Sequence, residues 1–201
     1  TTLRYAGQEI VALAAVDART AAAALGRVVV EYEILPAVIG MAAARAPGAT
    51  VVYPTMSSRR GATNHSEGPL LPQRWDGNLR GPFSQFSHHA PKLRRAIRSL
   101  RAEPASGTLV EATYTTQTQC HSCLEPHACV AHWQGEQLVV YLSTQAVSQI
   151  AEDIAQRWGL PEAQVRVLAQ HVGGGFGSKV TLGVEVIAAV ELTRLTGKPV
   201  R

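Results

Sequence analysis

The sequence has few cysteines, no long apolar run and little charge, and each shortage excludes something. Its three cysteines, Cys120, Cys123 and Cys129, fall within ten residues. An odd number cannot pair completely, which argues against the disulfide framework of a small secreted domain. No apolar run reaches the roughly 18 residues of a membrane-spanning helix, and the N-terminus has no charged head followed by a hydrophobic signal core. Charged residues make up 17% of the chain and the formal net charge is +4. Part of that excess is local, because Lys92, Arg94, Arg95, Arg98 and Arg101 share one ten-residue stretch. No aromatic platform is interleaved with it and no second basic stripe accompanies it, so nucleic acid is not expected as a partner. No internal repeat is present.

With 46% apolar residues in 201, the chain has ample material for a core and is long enough for one large domain or two small ones. Its texture divides it into 1–41, 42–107 and 108–201. In the first part "EIVALAAV" reads as a buried strand, Asp17 as the cap of an Ala-rich helix over Ala18 to Leu25, Gly26 as its end, and "RVVVEYEIL" as a returning strand. The middle part, with "YPTMSSRRGATNHSEGP", has no sustained period and reads as an irregular connector. Within it, Leu93, Ile97 and Leu100 predict one short helix whose opposite, basic face is solvated. In the last part "TLVEATYTT", "ACVAHW", "EQLVVYLS" and "QVRVLAQHV" read as strands, the middle two joined as a hairpin across Gln134-Gly135. Helices are expected over "QAVSQIAEDIAQRW", ended by Gly159, and over about Thr181 to Leu195, ended by Gly197. The expected fold class is α+β. A chain that starts Thr1-Thr2 and stops just after Pro199 is expected to be a segment of a longer soluble protein, cytoplasmic or periplasmic according to an N-terminus it does not include.

The sequence "HVGGGFGSK" carries the strongest functional signal. Gly173, Gly174, Gly175 and Gly177 surround Phe176 between a strand-like and a helix-like run. A mononucleotide phosphate loop needs Gly next to Lys and a hydroxyl after it, whereas Ser178 separates Gly177 from Lys179 and Val180 follows. A dinucleotide fingerprint needs an acidic residue at a strand end about 20 positions on, whereas Glu191 falls inside a helix. A merely tight turn needs one or two glycines rather than four. The remaining reading is a loop pressed flat against a large cofactor, offering backbone N–H groups to anionic or oxo groups.

That loop, together with "STQ" at Ser143 to Gln145, "LEPHACVAHW" from Leu124 to Trp133 and "TGKPVR" from Thr196 to Arg201, resembles in order and spacing the molybdopterin-binding subunit of the xanthine dehydrogenase/aldehyde oxidase family. "RYAGQEIVALAAVDARTAAAA" and "VVVEYEILPAV" likewise resemble that family's α/β hammerhead domain, here truncated. The resemblance covers about residues 2–40 and 108–201. It implies a molybdopterin cofactor, as such or as its dinucleotide, and hydroxylation of an aldehyde or N-heterocycle with oxygen from water, the hard chemistry belonging to the cofactor. Gln145 would give its side-chain amide to a molybdenum oxo ligand. The Phe176 region would offer backbone donors, and Gly173, Gly174, Gly175 and Gly177 would let the chain lie against the cofactor. Iron–sulfur (2Fe-2S) and flavin (FAD) groups would sit on partner subunits or domains, and the remainder of the molybdenum subunit would complete the site.

Plainer readings stand beside these. Gln145 could cap the helix after it, and Lys179 could be a first-turn helix residue or a cofactor contact. Glu125 and His127, at i and i+2 on a strand, would share a face as a supporting pair. Cys120, Cys123 and Cys129 with His121 and His127 lack the second ligand pair a structural zinc site wants, so buried or half-buried thiols are expected. Departures from the family also count. Purine-oxidising members often have an acidic residue where this chain has Val180, the connector is basic where theirs is acidic and apolar, and no residue matches the family's general-base glutamate. The chain alone is therefore expected to be inactive. The alternative is a non-catalytic assembly module that keeps the fold without cofactor.

Overall fold

The computed structural model describes residues 2–54, 75–80, 89–103 and 107–201. The core lies in one unit near the C-terminus. Cys129–Gln134 (β3) and Gln137–Leu142 (β4) form an antiparallel hairpin in the register Ala131 opposite Val140. The turn between them uses Gly135 at φ 62, the left-handed geometry a tight hairpin favours. From β4 the chain crosses through helix Val147–Trp158 (α4) and a 3₁₀ turn, Glu162–Gln164, into Val165–Leu168 (β5), which lies parallel to β4. The sheet order is β3-β4-β5. A parallel pair needs such a crossover, and the amphipathic helix supplies it.

Strand alternation puts Ala131, Leu138, Val140, Val165 and Val167 on the face that joins the core. Ile150 and Ile154 of α4 pack there, as do Val186, Ala189 and Val190 of helix Val184–Thr196 (α5). Those spacings of three and four residues define one helical face. Both helices end on left-handed glycines, Gly159 at φ 63 and Gly197 at φ 66. After Gly197 the buried Thr193 hydroxyl donates to Lys198 O at 2.5 Å, which pins the chain so that Val200 and Ala131 exchange two backbone hydrogen bonds of 2.9 Å. "TGKPV" thus adds a bridge to the free edge of β3.

Ahead of this unit the described residues form three helices and one small ribbon. Helix Ala18–Leu25 (α1) is capped as expected, with the Asp17 carboxylate accepting from Thr20 N at 2.7 Å and thereby held below the usual carboxylate range. Met41–Arg45 (α2) and Ala90–Ala102 (α3) follow, the latter where Leu93, Ile97 and Leu100 predicted a helix. Between them Trp75–Asp76 (β1) and Leu79–Arg80 (β2) make a two-stranded ribbon. Its Asn78 accepts from Val52 N at 2.8 Å and donates to Thr50 O at 2.9 Å and Ala44 O at 3.2 Å. Of the predicted connector, residues 55–74, 81–88 and 104–106 lie outside the described residues.

Three expected strands are not strands: 9–16, 27–35 and 108–116 have no ladder partner among the described residues. An apolar run becomes a strand only where a neighbour satisfies its N–H and C=O groups. Val16, Val29 and Ile34 are correspondingly 90%, 86% and 93% exposed. The overall content of helices and a small mixed sheet is α+β. No helix of the described residues is long and apolar enough to cross a membrane.

Candidate functional site

The glycine loop runs from β5 toward α5, and two earlier segments close on it. Its own shape comes from Ser178, whose N–H and hydroxyl both donate to Gly175 O at 2.8 Å. Gly174 sits at φ 99, Phe176 at φ 50 and Gly177 at φ 95, so three loop residues have positive φ. For Phe176 that conformation is uncommon, and the residue is 74% exposed.

Gln145 comes directly onto this loop. Its Oε1 accepts from Gly177 N at 2.9 Å. A Cβ on Gly175 would lie 2.7 Å from Gln145 Cγ and closer still to its amide, so only glycine leaves room. The group that approaches Gly175 is thus one of the protein's own side chains. Gln145 does not cap α4, which starts after Ala146 without a side-chain cap. Its Nε2 donates to nothing among the described residues, and neither do the N–H groups of Gly174, Gly175 and Phe176.

Glu125 closes on the loop from the other segment. Its Oε2 accepts from Gly173 N at 2.6 Å, and its own N–H donates to Gly173 O at 3.3 Å. A Cβ on Gly173 would overlap Glu125. The Ser143 hydroxyl first, then the Lys179 ammonium and the Gly173 N–H, hold this carboxyl down at about 2. Glu125 and His127 are not a pair. Residues 124–127 precede β3, and His127 instead lies 3.6 Å from Glu185 in the first turn of α5, where a carboxylate suits the helix N-terminus.

Lys179 is neither a first-turn helix residue nor an open cofactor contact. It precedes α5 and is 3% exposed. Its ammonium donates to Glu125 Oε2 at 2.9 Å, Glu125 O at 3.0 Å and Ser143 Oγ at 3.0 Å. Its carbonyl accepts from Gln145 N at 2.8 Å and from the buried Thr144 hydroxyl at 2.9 Å. Sequence reasoning missed this role, and the available signal was one lysine between a glycine loop and an apolar helix. The cysteines differ from expectation in one respect: Cys120 is exposed, Cys123 half-buried and Cys129 buried. Cys123 Sγ lies 3.4 Å from Gly175 O. Burial, with Glu185 nearby, pushes the Cys129 thiol up to about 12.

The site therefore offers a cluster of neutral donors, Gln145 Nε2 with the N–H groups of Gly174, Gly175 and Phe176, none with an acceptor among the described residues, beside a charge-balanced Lys179–Glu125 pair. Donors without acceptors suit an anionic or oxo-bearing ligand, so the residues present fit an oxo-metal group held by a pterin.

The model of the molybdopterin cofactor-binding domain matches residues 100–201. The aldehyde oxidoreductase molybdenum-binding subunit of Escherichia coli (strain K12) is 36% identical over 92 residues, covering 46% of this chain and 13% of that protein. The probable hypoxanthine oxidase of the same strain is 30% identical over 207 aligned residues, 98% of this chain and 21% of its own length. The carbon monoxide dehydrogenase large chain of Hydrogenophaga pseudoflava is 27% identical over 198 residues, 96% of this chain and 22% of that one. The chain thus spans between 13% and 22% of these relatives. With the domain match over residues 100–201 and the motif segments 124–127, 143–145 and 173–179 gathered at one place, the chain belongs to the molybdopterin cofactor-binding family of the xanthine dehydrogenase and aldehyde oxidase type.

Proposed function

We propose that this chain forms part of the molybdenum–pterin site of a hydroxylase acting on an aldehyde or an electron-poor N-heterocycle, and that it does not supply the general base. The observation that carries the reading is Gln145, whose amide oxygen is tied to Gly177 N–H while its Nε2, like the amides of Gly174 to Phe176, has no acceptor among the described residues. When bound, the cofactor supplies transfer of a water-derived oxygen to carbon and accepts two electrons. The chain's part is positional. Gln145 Nε2 and the loop N–H groups would hold oxo acceptors of that cofactor with donors fixed before the reaction, an effect typically worth about 3–4 kcal/mol for one donor. Tying Oε1 to the loop also sets which end of the amide faces the ligand.

The absence of a matching general-base glutamate assigns proton removal to another part of the assembly. Iron–sulfur and flavin groups on partner subunits or domains take the electrons onward. Residues 1–41 serve as a truncated hammerhead unit, 42–107 as a connector and 108–201 as the opening of the cofactor domain. The exposed Val16, Val29 and Ile34 support a surface that the remainder of the subunit covers. They equally suit a second reading, a non-catalytic assembly module that keeps the fold without cofactor. Metal and pterin analysis of the polypeptide purified with its natural partners separates the two: molybdenum and pterin near one per chain support the enzyme, and their absence leaves the assembly module.

A further inference from the structure

Lys179 is the residue through which all three motif segments meet. A buried ammonium is tolerated only when its charge and its three N–H donors are all matched. Here they are matched by Glu125 Oε2, Glu125 O and Ser143 Oγ, at 2.9, 3.0 and 3.0 Å. Glu125 Oε2 also holds Gly173 N, so the ammonium reaches the start of the loop through one carboxylate. The Lys179 carbonyl takes Gln145 N and Thr144 Oγ1, so the same residue fixes the backbone from which Gln145 reaches Gly177. An arginine would be a poor substitute, because its planar fork cannot point donors at three acceptors arranged around a tetrahedral nitrogen.

We propose that Lys179 is the positioning residue of the site: its side chain and carbonyl together set the shape of the glycine loop and the placement of Gln145. The inference rests on the proposed function only in its bearing on the cofactor, since the loop geometry is a property of the chain itself. A rival account is that Lys179 merely neutralises Glu125, in which case removing both charges together would leave the loop intact.

The test is hydrogen exchange at Gly173, Gly177 and Ser178 in the full-length polypeptide with its partners, with the amides of β4 as internal control. Lys179→Met is expected to speed exchange at those three amides at least tenfold while β4 is unchanged, and Lys179→Arg is expected not to restore them. The double variant Lys179→Met/Glu125→Gln is expected to recover thermal stability but not loop protection. Loop exchange at the wild-type rate in Lys179→Met, or loop protection regained in the double variant, would overturn the proposal. Should Lys179→Met fail to fold, Ser143→Ala and Ser143→Thr decide. Faster loop exchange in the first and wild-type exchange in the second support the proposal, and no change in Ser143→Ala overturns it. Pterin content is read in parallel and is expected to fall at least tenfold in Lys179→Met. A wild-type protein without pterin would end the proposed function yet leave the exchange result to judge Lys179.

Discussion

At Gly175 the missing Cβ is what lets the Gln145 side chain lie on the loop, whereas at Gly177 the backbone itself, at φ 95, excludes other residues. Gly175→Ala is therefore expected to push Gln145 away and deprotect the Gly177 amide in hydrogen exchange. Gly197→Ala, at φ 66 with open space around it, costs only the left-handed backbone, about 1–2 kcal/mol, and leaves Gly177 protected. Glu125 gives a pH prediction. Its folded value, about 2, lies below the ordinary 4.5, so the unfolded chain binds more protons in that interval. The contribution is fully present above about 4.5 and is lost as pH falls toward 2. Melting temperature followed from pH 6 downward is expected to fall less steeply in Glu125→Gln than in wild type, and superimposable slopes would count against it. Thiol labelling at mildly alkaline pH is expected to take Cys120 first and Cys129 only on unfolding, since one is exposed and the other is buried with its thiol near 12.

Among the elements, those with an internal hydrophobic period were legible, β5 within 164–172 included, and three apolar runs that found no ladder partner among the described residues were not. α4, α5 and the β3–β4 hairpin appear with the glycine stops expected of them, α5 starting at Val184 and not near Thr181, because helices and tight hairpins satisfy their backbone locally. The segments 9–16, 27–35 and 108–116 carry strand-like composition but no neighbour among the described residues, and composition alone cannot supply one. The contrast has an energetic counterpart. Ile154 is fully buried, and Ile154→Ala is expected to cost about 2–5 kcal/mol in the cooperative unfolding of the β3–β5 unit. Asp17→Ala removes a cap typically worth about 0.5–2 kcal/mol, but α1 buries no residue. Calorimetry should show that melt shifted by the first and unmoved by the second, with circular dichroism registering only a small helix loss.

On the scale of the whole molecule, the packed core belongs to residues 129–200 while the first 54 residues expose Val16, Val29, Ile34 and Ile39. The 201-residue chain by itself is accordingly expected to bind a hydrophobic dye, and truncation to residues 107–201 to abolish most of that binding while keeping the melt. Equal dye binding by both would place the sticky surface elsewhere. The sequence by itself determined the hairpin, the cap at Asp17, helices α1, α3, α4 and α5 but not α2, and the two residues, Gln145 and Gly175, on which the candidate site turns, because local periodicity, backbone freedom and motif order are written in neighbouring residues. Only the tertiary structure decided what fills the space around the glycines, why Glu125 and His127 part company, and that Lys179 joins segments 36 and 54 residues away. Such contacts depend on three stretches of chain meeting in space, and the pairing of a buried charge is a property of its surroundings and not of its own position in the sequence.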